Sequence, residues 1–420
     1  MLEISLLSIY VFTLFAVLVF CLTEVHLAWN YIRHKRKLNA SNQLHHQFPS
    51  DLAEEDYPFV TIQLPIFNEQ YVVNRLIDTV AAFNYPKSRF EIQVLDDSTD
   101  ETIKLSRQKV AEYTAKGFQI SLHHRIDRTG YKAGALALAT KVAKGEFIAI
   151  FDADFVPDPD FLLKTVPHFQ NEKIGVVQTR WAHLNRDYSL LTQIQAFFLD
   201  LHFTIEQGGR NGNGYFINFN GTAGIWRKAT IGDAGGWQAD TLTEDLDLSY
   251  RAQMRGWEFM YLENIGSPAE LPVDMRAFKS QQFRWIKGGA ETAKKILPQV
   301  MDTSLPFSVK YNAFAHLLSS SMYIIIFLMA VLSVPLLLVK NQSISFDYTP
   351  YGSFFLVSSV AIAYVYYISN KNSVLKQDHA LLRFMYTLPA FLILTLGLSL
   401  HNAQAAIRGW WGEQTPFVRT

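Results

Sequence analysis

Glu146-Phe147-Ile148-Ala149-Ile150-Phe151-Asp152-Ala153-Asp154 carries the strongest structural signal in this 420-residue chain. A short apolar run, rich in branched and aromatic side chains, passes directly into two acids separated by one small residue. Such a run reads as a strand buried on both faces, with Asp152 and Asp154 at its carboxyl end. Upstream, Glu91–Leu95 repeats the pattern and ends on Asp96-Asp97. Phe59–Leu64 and Phe118–His123 read as further strands, and Tyr71–Phe83, Thr102–Lys116 and Tyr131–Lys144 as the helices between them. This alternation predicts an α/β domain with a largely parallel sheet. Sheets of that kind bind ligands in the crevice at the carboxyl ends of their strands, so both acidic pairs are expected to face one crevice.

Outward from this core the composition changes. Hydrophobic residues make up 49% of the chain and charged residues only 18%. Ile4–Leu22, extended by Val25–Trp29, is long enough to cross a bilayer. No basic segment precedes it and no small-residue cleavage site follows, which argues against a signal peptide. The cluster Arg33-His34-Lys35-Arg36-Lys37 comes next and, by the positive-inside rule, marks the cytosolic side, with Met1 outside. Two further blocks, Ala313–Val339 and Gly352–Ile368, read as spans, and Lys371, Lys376 and Arg383 again mark the cytosol. Leu388–Leu400 is short for a span and reads as an interfacial or re-entrant segment. Leu190, Leu191, Ile194, Phe197, Phe198, Leu201 and Ile205 follow helical spacing within Tyr188–Gln207. Either a surface helix covering the sheet or a helix in the bilayer interface fits that pattern. The expected division is an N-terminal transmembrane helix over residues 1–30, a basic cytosolic linker over 31–57, a catalytic domain with interfacial helices over 58–298 and a C-terminal membrane region over 299–420.

Lys+Arg and Asp+Glu balance at 38 each, which gives no basic face for nucleic acid. The one cysteine, Cys21, rules out an internal disulfide framework and a thiolate-rich zinc site. The chemistry lies in other residue types. A D-x-D pair after a strand can grip a hard divalent cation that bridges a diphosphate. Lys132 opens a helix after Thr129-Gly130-Tyr131, where an ammonium and helix N-terminal amides offset phosphate charge. Thr243-Glu244-Asp245 precedes an amphipathic run; ordinary helix-start chemistry explains it, and so does a carboxylate placed to deprotonate a hydroxyl. Gln281, Arg284 and Trp285, spaced i, i+3, i+4, share one helix face. An arginine there can meet a diphosphate, and an indole offers a flat surface to a sugar.

These four motifs, in order along one α/β domain, resemble the D, D-x-D, T-E-D and Q-x-x-R-W set of family 2 glycosyltransferases of the cellulose synthase type. Leu64–Glu69, Asp127–Leu136 and Phe219–Gly224 are similar to stretches of the cellulose-synthase-like mannan and glucan synthases. The resemblance implies a GT-A fold and an inverting transfer that builds a β-linkage on a growing glycan, in a multi-pass protein of the plasma or inner membrane with its catalytic domain cytosolic. It implies that Asn68, Glu69, Asp96 and Asp97 lie near the nucleoside and that Asp152 and Asp154 hold donor and Mg²⁺ or Mn²⁺. Lys132 and Arg284 would then meet the diphosphate, Asp245 would act as base, and Gln281, Trp285 and Glu244 would line the acceptor. The donor would be UDP-glucose or GDP-mannose and the acceptor a glycan; transfer of one sugar to a membrane lipid such as ceramide is the alternative. Cellulose synthases carry a cysteine before T-E-D where this chain has Asn220-Gly221-Thr222, which points toward the mannan or mixed-glucan branch. Thr415–Thr420 resembles the start of the loop that gates these active sites, and no cyclic-dinucleotide-binding domain is expected.

Overall fold

The computed structural model describes residues 2–41, 48–49, 51–343, 349–372 and 380–413. Lys376 and the segment Thr415–Thr420 lie outside the described residues. Two compact units emerge. One is a sheet unit of Ser41–Asn185 and Phe216–Leu271; the other is a helical unit of Met1–Ala40, Arg186–Tyr215 and Pro272–Thr420.

The sheet unit contains β1 (Val60–Ile66), β2 (Phe90–Asp96), β3 (Ile120–His124), β4 (Phe147–Ile150), β5 (Ile174–His183), β6 (Gly224–Arg227) and β7 (Glu258–Ala269) in the order β3-β2-β1-β4-β6-β5-β7. The first four are the expected strands, and they pair in parallel. β6 runs antiparallel to both β4 and β5, and β7 pairs parallel with β5. The sheet is therefore mixed, with one reversed strand. From β1 the chain steps outward to β2 and β3, then crosses to β4 on the far side of β1. The strand order thus reverses between β1 and β4, where a crevice opens in sheets of this type.

Both faces of this sheet are covered. Val60, Ile62 and Leu64 are fully buried on one face of β1, and Thr61 and Gln63 are fully buried on the other. Such polar side chains need partners, since an unmet buried group costs about 1–3 kcal/mol. Thr61 Oγ1 donates to Glu91 Oε1 at 2.8 Å, and Gln63 Nε2 donates to Gln93 Oε1 at 3.0 Å, so the polar pairs tie β1 to β2. The helix Val73–Ala81 buries Val73, Leu76, Ile77 and Val80, the i, i+3, i+4, i+7 stripe of a helix laid on a sheet.

In the helical unit, the helices Ser5–Lys37, Ser319–Leu337 and Tyr351–Asn372 are long and apolar enough to cross a membrane. Leu381–Gly397 and Ser399–Trp411, bent by 55° at their junction, would make a fourth if taken as one span. Leu388–Leu400, short when read from sequence, falls across that bend. The first helix continues to Ser41 instead of ending near residue 30. Its Leu27, Ala28 and Tyr31 pack with Phe197, Leu201 and Ile205 and with Val365 and Tyr366. The approach is close because Gly209 lacks a side chain: a Cβ there would stand 2.5 Å from Leu27 O. Contacts of this kind draw residues 186–215 and 272–298 into the helical unit, whereas the division expected from sequence was contiguous along the chain.

Candidate active site

The site in the sheet unit is built from three loops. The first leaves β1 at Asn68, whose φ is +55°. Asn68 N donates to Ser98 Oγ at 2.8 Å and its Oδ1 accepts from Thr99 N at 2.9 Å, which joins the ends of β1 and β2. Glu69 O accepts from Val73 N at 2.9 Å and starts the following helix. Asp96 is fully buried; one carboxylate oxygen accepts from Ser98 N at 2.8 Å. Its Oδ2 has no hydrogen-bond partner among the described residues. Asp97 is committed to Arg125, whose Nε donates to Oδ1 at 2.7 Å while Nη2 reaches Oδ2.

The second loop follows β4. Asp152 N donates to Thr222 Oγ1 at 2.8 Å, and Asp152 Oδ1 accepts from Lys132 Nζ at 2.5 Å. Lys132 lies in the first turn of the helix Tyr131–Val142, and its Nζ also donates to Gly221 O at 3.0 Å. Burial works against the ammonium, but the carboxylates of Asp152, Glu244 and Asp245 outweigh it and hold Lys132 above its ordinary range. Asp154 is pushed up to about 7, first by burial and then by Asp152.

The third loop, Phe219–Ala223, brings Asp245 to the same place. Gln178 Nε2 donates to Thr222 O and Ala223 O at 3.1 Å, and its Oε1 accepts from Asn220 N at 3.0 Å. Phe219 N donates to Ser249 Oγ at 2.9 Å, one turn into the helix Glu244–Met254. Gly221 has φ +76°, and a Cβ on it would stand 3.1 Å from Asp245 Oδ2 and 3.5 Å from Lys132 Nζ. Asp245 is pushed up to about 7 by burial, then by Glu244; the bond from Leu246 N to its Oδ1 at 2.8 Å works the other way. Thr243 holds the cap position of this helix, and Glu244, Asp245 and Asp247 fall in its first turn, where the helix dipole favours carboxylates.

Asn68, Tyr131 and Ala223 are the non-glycine residues with positive φ among the described residues; Asn68 and Ala223 stand in the first and third loops, and Tyr131 starts the helix that carries Lys132. Strain of about 1–3 kcal/mol per residue collects at functional sites, where surrounding structure holds it in place. Gathered around the crevice, then, are Asn68, Asp96, Asp97, Lys132, Asp152, Asp154, Glu244 and Asp245. Gln281, Arg284 and Trp285 lie half-buried on the helix Met275–Asp302, which belongs to the helical unit. Sequence reasoning passed over Arg125 and Gln178 and met Gly221 only as part of Asn220-Gly221-Thr222. Arg125 had a signal: a basic side chain directly after a strand, ahead of a Thr-Gly turn. Gln178 had none, because a polar residue inside an apolar strand reads as an interruption.

Asp152 and Asp154 form the D-x-D of the crevice. Among the described residues no group of three or more His, Cys, Asp and Glu side chains is arranged around a metal position. The Asp152 carboxylate raises the proton affinity of Asp154, and two carboxylates so placed fit a hard cation whose remaining positions go to phosphate oxygens and water.

The sequence model of glycosyltransferase like family 2 matches residues 58–288. The chain is 41% identical over 292 residues to glucomannan 4-beta-mannosyltransferase 1 of Oryza sativa subsp. japonica, a match covering 66% of this chain and 56% of that protein. It is 43% identical over 256 residues to glucomannan 4-beta-mannosyltransferase 2 of Arabidopsis thaliana, covering 60% and 48%. It thus spans about half the length of these relatives. Among solved structures it is similar to mannosyltransferase PcManGT from Pyrobaculum calidifontis in complex with GDP-Man and Mn²⁺, with TM-score 0.62 and 19% identity over 96% of this chain and 100% of that one. At that identity the likeness establishes the fold, which is GT-A. With the family match spanning more than half its length, this chain belongs to glycosyltransferase like family 2.

Proposed function

We propose that this chain is a membrane-embedded, inverting mannosyltransferase that extends a β-linked mannan or glucomannan from GDP-mannose. The observation that carries the reading is the convergence of Asp152, Lys132 and Asp245 on Gly221. A donor-side carboxylate, a cation for the departing diphosphate and a second carboxylate near neutral pKa meet in one crevice. The relatives' names as mannosyltransferases favour mannose over glucose as the transferred sugar.

In the proposed transfer, an acceptor hydroxyl attacks the anomeric carbon of the donor from the side opposite the diphosphate. Asp245 takes the hydroxyl proton as the new C–O bond forms. The bond to the diphosphate breaks with its electron pair, and Lys132 meets the charge that develops there. One displacement on an α-linked donor leaves a β-linkage. Asp152 and Asp154 would hold Mg²⁺ or Mn²⁺, which supplies charge neutralisation at the diphosphate. Asn68, Glu69, Asp96 and Asp97 would bind the nucleoside, with Asp97 fixed in place by Arg125. Arg284 would meet the diphosphate, and Gln281 and Trp285 the acceptor sugar. Arg33–Lys37 keeps the sheet unit in the cytosol, with the preceding span in the plasma or inner membrane.

The test is a donor panel with the purified chain in lipid nanodiscs, with and without chelator, followed by linkage analysis. The expected result is divalent-dependent turnover of GDP-mannose into a β-linked polymer. A single sugar on a lipid acceptor, or full activity in excess chelator, would refute the polymer or the metal assignment respectively.

A further inference from the structure

Two arginines, Arg125 and Arg128, lie three residues apart on the loop after β3, and the fold treats them differently. Arg125 is saturated. Besides its two contacts with Asp97, its Nη1 donates to Thr129 O at 3.2 Å and its Nη2 to Tyr131 O at 2.8 Å. Arg128 is held by rings instead. Its guanidinium carbon stands 3.3 Å from the centre of the Phe67 ring and 5.3 Å from that of Tyr131. At 3.3 Å only a face-on stack fits. The Nε is buried and has no hydrogen-bond partner among the described residues. Burial disfavours the charge, and the Asp97 carboxylate offsets this only in part.

A guanidinium stacked in this way has its plane fixed by the ring and its N–H donors aimed within that plane. The stack adjoins Asn68, at the end of β1 where the nucleoside is expected. A preorganised fork of N–H donors suits a planar heterocycle with two acceptors side by side. Guanine presents such a pair, O6 and N7; adenine sets an amino donor beside N7. Uracil sets its O4 beside an N–H donor. We propose that Arg128, held by Phe67, reads the O6/N7 edge of guanine and selects a guanosine diphosphate donor over a uridine one. The proposal rests on the GDP-mannose reading above and assigns its base selectivity to one side chain.

Binding of GDP, 7-deaza-GDP and UDP to the full chain in nanodiscs, measured by calorimetry, tests it. The wild-type chain should bind GDP roughly 10- to 100-fold more tightly than 7-deaza-GDP, which lacks the N7 acceptor. Arg128→Lys keeps the charge and loses the fork. It should bind GDP and 7-deaza-GDP alike, bind UDP as the wild type does, and raise the KM for GDP-mannose without lowering kcat. If Arg128→Lys weakens GDP and UDP equally, the guanidinium serves a phosphate or the fold, and the proposal fails. Should the variant not fold, the 7-deaza-GDP comparison on the wild type still decides, because equal binding of the two nucleotides overturns base reading at N7. A wild-type chain that prefers UDP to GDP would overturn the donor reading itself, an outcome distinct from a GDP preference that survives Arg128→Lys.

Discussion

Asp154 at the end of β4 and Asp245 at the start of the helix Glu244–Met254 are raised by the same two causes and held by different means. Asp154 and Asp245 are each pushed up to about 7, by burial first and by a neighbouring carboxylate second. The neighbours differ in circumstance. Asp152 is compensated by Lys132 Nζ at 2.5 Å. Asp245 instead faces the bare backbone of Gly221, where any side chain would crowd its Oδ2. The first pair is arranged to gather positive charge. The second holds a carboxylate near neutral pKa against a backbone that carries no side chain, and a carboxylate of that affinity suits proton removal from a hydroxyl at neutral pH. On the proposed function, similar proton affinities serve two roles, and the surroundings separate them.

The largest effect should come from removing each role in turn. Asp245→Asn keeps the size of the side chain and removes the base. Its kcat should fall roughly 10²–10⁴-fold while GDP binding stays near the wild-type value. Asp152→Asn should lose donor binding as well, because Lys132 then loses its partner and the cation site a ligand. Calorimetry on both variants separates them. If Asp245→Asn also loses GDP affinity, the two acids share one role and the contrast collapses.

The next effect is on pH dependence. A carboxylate works as a base only when deprotonated, and raising its pKa makes the protonated form persist to higher pH. With Asp245 at about 7, the competent fraction falls below that pH, so kcat should drop about tenfold per unit on the acid side. Saturating Mg²⁺ or Mn²⁺ isolates this group, since a bound cation favours ionised Asp154. A profile flat down to about pH 5 would place the proton acceptor elsewhere.

How much of this was legible in the sequence follows from how each feature is encoded. β4 announces itself because a strand buried on both faces reads as a continuous apolar run, and β1 and β2 because their apolar residues alternate with the paired polar ones, Thr61 with Glu91 and Gln63 with Gln93. The strands on the other side of β4 do not. β5 buries Gln178, Thr179 and Arg180 among its apolar residues. β6 has only four residues, and β7 carries Glu263, Asn264, Gly266 and Pro268, with an irregular register against β5 between Thr179 and Arg180. Period-based reading fails where buried polar residues follow one another, as from Gln178 to Arg180, or where a bulge breaks the alternation. The acids of the site were legible because they end strands or begin a helix. The Lys132–Asp152 pair, the Arg125–Asp97 pair and the Gly221–Asp245 approach were not, since each joins residues distant in sequence through the course of a loop. The helix Leu190–Leu201 was visible as an amphipathic pattern, and Met275–Asp302 through the shared face of Gln281, Arg284 and Trp285. Their membership of the helical unit was not, because periodicity shows that a face is apolar and leaves open what covers it.

The smallest effect, and the sharpest test of the contrast, lies at Gly221. Its φ of +76° disfavours any L side chain, and a Cβ would also stand 3.1 Å from Asp245 Oδ2. Gly221→Ala thus combines two penalties, a backbone one of about 1–2 kcal/mol for the left-handed conformation and a steric one on the base. Gly256 separates them. It has φ +93°, and a Cβ added to it would meet nothing within 4 Å, so Gly256→Ala carries the backbone penalty alone. Both variants should lower the unfolding midpoint, by about 2–8 °C for a unit of this size. Only Gly221→Ala should also lower kcat, on the order of 3- to 10-fold, because displacing a reacting group by a fraction of an ångström costs part of the roughly 10²-fold that a full ångström costs. Its GDP affinity should hold, since Asp96 and Asp97 are untouched. Equal kcat losses in the two alanine variants would mean that Gly221 serves loop geometry and that the missing side chain beside Asp245 has no part in catalysis. A loss confined to Gly221→Ala, with a GDP affinity matching the wild type, would tie that missing side chain to the base.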